Sequence, residues 1–78
     1  MTRTILYSRN GCHLCQLAGD TLARHGVAYD VVDIDTEPQL RDRYDQCVPV
    51  VVIDGVERFR GRVDALLLRR LLTRREPP

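Results

Sequence analysis

The alternation of apolar and polar positions divides this chain into short segments. Thr4-Ile5-Leu6-Tyr7 is apolar on both faces, as a central strand is, and Ser8-Arg9-Asn10-Gly11 has the composition of a turn. From Cys12 to about His25, Leu14, Leu17, Ala18, Thr21 and Leu22 recur at helical spacing, with Asp20 and Arg24 on the polar side and Gly26 as the C-terminal stop. Residues 29–34 read as a second strand, and the helix-length connection before them implies parallel pairing with the first. Thr36 and Gln39 have the spacing of a capping box. With Pro38 in the first turn, they predict a short helix to about Asp45 that turns Leu40 and Tyr44 inward. Residues 50–53, the pair Asp54-Gly55 and residues 56–60 then read as strand, tight turn and strand. Asp64 can cap a last helix in which Leu67, Leu68, Leu71 and Leu72 make one apolar stripe, with Arg69, Arg70, Arg74 and Arg75 mostly outside it. Only the Pro77-Pro78 tail reads as frayed. The expected order is β-α-β-α-β-β-α, an α/β fold with a four-stranded mixed sheet flanked by three helices.

Composition narrows the class. Seventy-eight residues allow one domain, 1–78, and 44% apolar with 29% charged residues is the balance of a soluble globular chain. No apolar run approaches the roughly 20 residues needed to cross a bilayer, and the chain starts directly in strand-like sequence. No membrane association is expected and the default address is cytoplasmic. A net charge of +1 gives no whole-molecule field toward nucleic acid, although every basic residue is Arg, so nucleic acid is not an expected partner.

The chemistry lies in the three cysteines. In a reducing compartment a close Cys pair is an unlikely structural staple, which leaves redox activity or metal binding for Cys12 and Cys15. The pair opens a helix directly after a strand. Unpaired N–H groups and the positive end of the helix dipole at that point stabilise a thiolate at Cys12, bringing its pKa from about 8.5 toward 7 or lower. Cys15, one turn further in, is placed to displace whatever Cys12 captures in a mixed disulfide.

With these elements in place, Tyr7-Ser8-Arg9-Asn10-Gly11-Cys12-His13-Leu14-Cys15, Val32-Asp33-Ile34-Asp35, Pro38, Leu40, Arg43-Tyr44 and Val48-Pro49-Val50 resemble the small glutaredoxin-like proteins of bacteria. The resemblance spans nearly the whole chain. It implies the thioredoxin-like fold and thiol-disulfide oxidoreductase activity, with Cys12 as nucleophile and Cys15 as resolving thiol. Pro49 is similar to the cis-proline that faces the active-site cysteines in that superfamily, and the Val48 backbone would pair with the substrate's cysteine segment. Arg9 resembles the basic residue that assists the thiolate and a glutathione carboxylate. Gly61, Arg62, Val63 and Asp64 resemble a worn form of the segment that holds the γ-glutamyl end of glutathione. Gly11, His13, Leu14 and Cys47 depart from the usual residues, which sets glutathione specificity apart from disulfide exchange itself. Thioredoxins proper are a poorer match, because Leu6 stands where they carry a buried acid.

The implied partners are a disulfide-containing protein or a glutathione mixed disulfide, with glutathione or a thioredoxin-reductase-type donor as the electron source. No bound cofactor is expected, and glutathione is a candidate reductant. Plainer readings stand beside these. Cys12 and Cys15 could instead hold a metal or iron-sulfur group, although His13, His25 and Cys47 do not form a second ligand pair and no metal is expected. The fold could also serve as a non-catalytic binding module. His13 is either a solvent-facing residue or an electrostatic contributor, and Cys47 is either a small buried thiol or a third redox thiol.

Overall fold

The computed structural model describes residues 3–44 and 48–74; Cys47, the Asp45 end of the expected short helix, Arg75 and the Pro77-Pro78 tail lie outside the described residues. Within them, β1 (Thr4–Ser8), α1 (His13–Arg24), β2 (Asp30–Asp33), a 3-10 turn (Ile34–Thr36), α2 (Pro38–Tyr44), β3 (Val50–Ile53), β4 (Val56–Arg60) and α3 (Ala65–Arg74) follow one another. The sheet order is β2-β1-β3-β4, with β1 parallel to β2 and antiparallel to β3, and β3 antiparallel to β4. This is the four-stranded mixed sheet with three helices that the sequence predicts.

Two-residue periodicity assigns the sheet faces. Leu6 of β1, Val51 and Ile53 of β3 and Phe59 of β4 pack with Ala18 and Leu22 of α1 and Leu68 of α3. On the other face Val50 meets Ile34 of the 3-10 turn and Tyr44 of α2, with Tyr7 and Leu40 packed alongside. The Tyr7 and Tyr44 rings lie 5.0 Å apart, centroid to centroid. One face therefore carries α1 and α3, and the other carries α2.

Three expectations are corrected. Thr36 does not build a capping box: its Oγ1 donates to the Asp33 carbonyl at 2.7 Å, inside the 3-10 turn, and α2 opens instead on the Glu37 carbonyl, which accepts from Leu40 and Arg41. In α3 the apolar stripe is rotated. Leu68 is fully buried, Leu71 and Leu72 are half-buried, and Leu67 is 48% exposed. The α1 stripe is rotated likewise, with Cys15, Ala18, Gly19 and Leu22 inward while Leu14 and Leu17 face outward. The sheet surface selects which helical positions it covers, and a run rich in Leu leaves that choice open. The Asp64 cap is present, its Oδ1 accepting from Leu66 N at 2.8 Å and Leu67 N at 3.1 Å.

The hairpin holds a feature that alternation alone does not announce. Val51 pairs with Phe59 and Val52 with Glu57, so Arg58 is one residue too many on β4. This bulge breaks the alternation and puts Glu57 and Arg60 on one side, where Arg60 donates to both Glu57 oxygens at 3.1 and 2.9 Å.

Leu68→Ala should cost about 2–5 kcal/mol in urea unfolding, and Leu67→Ala no more than about 0.5 kcal/mol. Equal losses would mean that the helix sits on its other face. The Arg60 hydrogen bonds, helped by the charges of Arg60 and Arg43, hold the Glu57 carboxyl below its ordinary value. Its contribution to stability is therefore in force above the ordinary glutamate pKa and is lost as pH falls through the lowered one. NMR titration should find Glu57 low in the parent protein and raised in Arg60→Ala.

Candidate active site

The end of β1 delivers the chain to the site. After Ser8 the turn closes on itself through Cys12 N donating to Arg9 O at 3.2 Å. Gly11 has φ +79, a left-handed conformation that side chains disfavour, so this position uses glycine's freedom where an aromatic residue would be strained. Cys12 is the N-cap of α1, with extended backbone, and its Sγ accepts from Cys15 N at 3.1 Å. The Cys12 carbonyl starts the helix by accepting from Gln16 N at 3.3 Å.

Cys12 and Cys15 are joined in a disulfide, with their Cα atoms 5.2 Å apart. Their environments differ: Cys12 is half-buried, whereas Cys15 is 5% exposed. The first turn of α1 holds no carboxylate that would oppose a sulfur anion, and His13 stands exposed at its first position. Leu6, six residues before Cys12, is buried in the core below.

Register brings the remaining candidates to the same end of the sheet. Tyr7 pairs with Val50 and Val50 with Arg60, so Pro49 and Gly61 flank the exit of β1. The Val48–Pro49 bond is cis, Pro49 is fully buried and Val48 is half-buried. Gly61 N donates to Pro49 O at 2.7 Å, which ties the segment after β4 to the proline. Asp64, three residues on, is exposed and directs its carboxylate to the α3 cap. Arg9 binds a carboxylate. Its Nε and Nη2 donate to Asp35 Oδ2 and Oδ1 at 3.0 and 3.1 Å.

Two open grooves flank α1, one at its start and one along its length. One, of about 550 Å³, is lined by Arg9, Asn10, Cys12, Cys15, Gly19 and Tyr29. The other, of about 600 Å³, lies between Leu14 and Leu17 on one side and Gly61, Arg62 and Val63 on the other. Among the described residues, no three His, Cys, Asp or Glu side chains converge as a metal site, and no helix is long and apolar enough to cross a membrane.

A family model described as Glutaredoxin-like domain (DUF836) matches residues 3–73. The chain belongs to this glutaredoxin-like family. Among solved structures, a structural-genomics target protein from X. campestris, XcR50, is 35% identical with a TM-score of 0.78, covering 94% of this chain and 99% of that one. The glutaredoxin-like protein NrdH-redoxin from Escherichia coli is 22% identical with a TM-score of 0.66, covering 97% of both chains. A buckwheat glutaredoxin in complex with glutathione is 19% identical with a TM-score of 0.64, covering 92% of this chain and 71% of that one. The two more distant structures establish the thioredoxin-like fold alone. No curated protein matches the sequence. Family membership and the Cys12–Cys15 disulfide together support thiol-disulfide oxidoreductase chemistry in general.

Sequence reasoning passed over Gly19 and Tyr29, although a glycine inside a helical pattern is itself a signal of close approach. In this glutaredoxin-like chain a Cβ on Gly19 would lie 2.6 Å from the Tyr29 hydroxyl and 3.7 Å from Leu6 Cδ2. Position 19 is thus bare where α1 passes over Leu6 of β1 and the Tyr29 side chain just before β2. Gly19→Ala gains helix propensity of about 1 kcal/mol but meets that hydroxyl. A double-mutant cycle with Tyr29→Phe should give a coupling of about 1 kcal/mol in urea unfolding, with the double variant more stable than Gly19→Ala alone. Strict additivity would show that the two groups do not touch.

Proposed function

We propose that the protein is a dithiol disulfide reductase of the glutaredoxin-like type, with Cys12 as nucleophile and Cys15 as resolving thiol. The observation that carries this reading is the Cys12 sulfur at the amino end of α1, accepting from Cys15 N, with the sheltered Cys15 sulfur bonded to it. In the reduced protein the Cys12 thiolate attacks one sulfur of a substrate disulfide, forms the mixed disulfide and expels the other substrate sulfur as thiolate. Cys15 then loses its proton, its sulfur attacks Cys12 Sγ, and the second substrate thiolate departs as the Cys12–Cys15 disulfide closes. The two electrons come from the dithiol.

Two equivalents of glutathione, or a thioredoxin-reductase-type donor, restore that dithiol. Among structurally similar proteins, one is described by a thioredoxin-like activity profile and another is in complex with glutathione. The substrate is a disulfide-bearing protein or a glutathione mixed disulfide. Its extended segment lies along Val48 and Pro49, with His13 and the Gly61 to Asp64 stretch bordering the same end of the sheet. With Leu6 in the core beneath, solvent or the incoming thiol takes and returns the Cys15 proton. A reducing compartment suits this cycle, and the cytoplasm is the proposed address.

Iodoacetamide alkylation of the reduced protein against pH tests the reading. Cys12 should titrate well below about 8.5, toward 7. Cys12→Ser should abolish turnover of a mixed-disulfide substrate, while Cys15→Ser should accumulate the Cys12 adduct, visible by mass spectrometry. An ordinary thiol pKa at Cys12, or turnover surviving in Cys12→Ser, would sink it.

A further inference from the structure

We propose that Asp35 sets which thiols can recharge the site, by occupying with its own carboxylate an anion seat formed by Arg9 and Arg41. This rests on the dithiol reading above and goes beyond it to the choice of reductant.

The seat is built from three separate elements. Arg9, in the turn after β1, grips Asp35 with two side-by-side hydrogen bonds, Nε to Oδ2 at 3.0 Å and Nη2 to Oδ1 at 3.1 Å. This fork-on-fork arrangement is the geometry by which a guanidinium recognises a carboxylate. Arg41, from α2, brings its Nε to 3.5 Å from Oδ1. Asp35 is itself held in place, since its N–H donates to Asp33 Oδ1 at 2.9 Å and Thr36 Oγ1 ties the same turn to the Asp33 carbonyl.

The position matters because Arg9 stands three residues before Cys12, accepts the Cys12 N–H on its carbonyl, and lines the groove that reaches both cysteines. A small thiol that carries a carboxylate and approaches through that groove meets, in Arg9, a guanidinium already engaged by Asp35, with Arg41 bound to the same carboxylate outside the groove. Asp35 is tethered, so no rise in its concentration is needed for it to hold the seat, whereas a free thiol must displace it. A neutral thiol or a protein segment without a nearby carboxylate loses nothing. The pair is partly solvent-exposed, which keeps the expected discrimination modest.

The test is the rate at which each thiol, in excess, reduces the Cys12–Cys15 disulfide. In that reaction one thiolate attacks Cys12 Sγ and releases Cys15, and a second thiolate attacks the bound thiol's sulfur and releases Cys12 with formation of the small disulfide. Glutathione, which bears two carboxylates, is compared with uncharged 2-mercaptoethanol in the parent, Asp35→Asn and Asp35→Ser proteins. The glutathione to 2-mercaptoethanol rate ratio should rise about two- to five-fold in both variants, the range set by an exposed ion pair. Asp20→Asn removes the same charge from a residue lining the same groove, without touching either guanidinium, and should move the ratio less. An unchanged ratio in proteins that 2-mercaptoethanol still reduces at the parent rate would overturn the role of Asp35 and leave the dithiol reading intact. An equal rise in Asp20→Asn would overturn it too, by assigning the effect to net charge. Turnover surviving in Cys12→Ser would instead remove the dithiol reading itself.

Discussion

A single N–H, that of Cys15 pointing back at the sulfur of Cys12, ties the chemistry of this protein to its fold. A helix leaves its first N–H groups without partners, and a sulfur in the capping position takes one of them. The same geometry that begins the helix therefore supplies the field that favours a thiolate. It also separates the two cysteines by environment, since the cap lies at the surface while the residue one turn later faces the sheet. Everything below serves to hold that helix end in place: Leu6, Ala18 and Leu22 under α1, and the β1 exit that delivers the turn.

Much of the architecture was legible in the chain. Asp54-Gly55 marked the hairpin, the helix-length gap between β1 and β2 marked the parallel crossover, and Asp64 marked the start of α3, because each depends on local chemistry that few arrangements satisfy. What escaped depends on long-range choices. Leu14, Leu17 and Leu67 fit a helical stripe by spacing, yet the sheet accepts a stripe turned by part of a turn. Thr36 had the right neighbours for a capping box, and a 3-10 turn claimed its hydroxyl first. The site was legible to the same degree. The Cys12 and Cys15 pair and its helix are local, whereas the Arg9 to Asp35 contact joins positions 26 apart, which no spacing rule foresees.

The two grooves differ in what they reach. One passes Arg9, Asn10 and both cysteines; the other runs along α1 between exposed Leu14 and Leu17 and the segment after β4. In Leu14 and Leu17, α1 withholds apolar surface from the core and leaves it open to solvent along that second groove.

The outer strands show how this sheet blunts its two open edges. Strand β2 is only four residues long and carries Asp30 and Asp33 at its ends, so the exposed Val31 between them offers little backbone for another chain to join. At the opposite rim β4 has its Arg58 bulge and the charged side chains of Glu57 and Arg60. Both margins of the sheet therefore present little that another strand could extend. Shortness and acid guard one margin here, and a kink with paired charges guards the other, two different physical means of blunting an open edge.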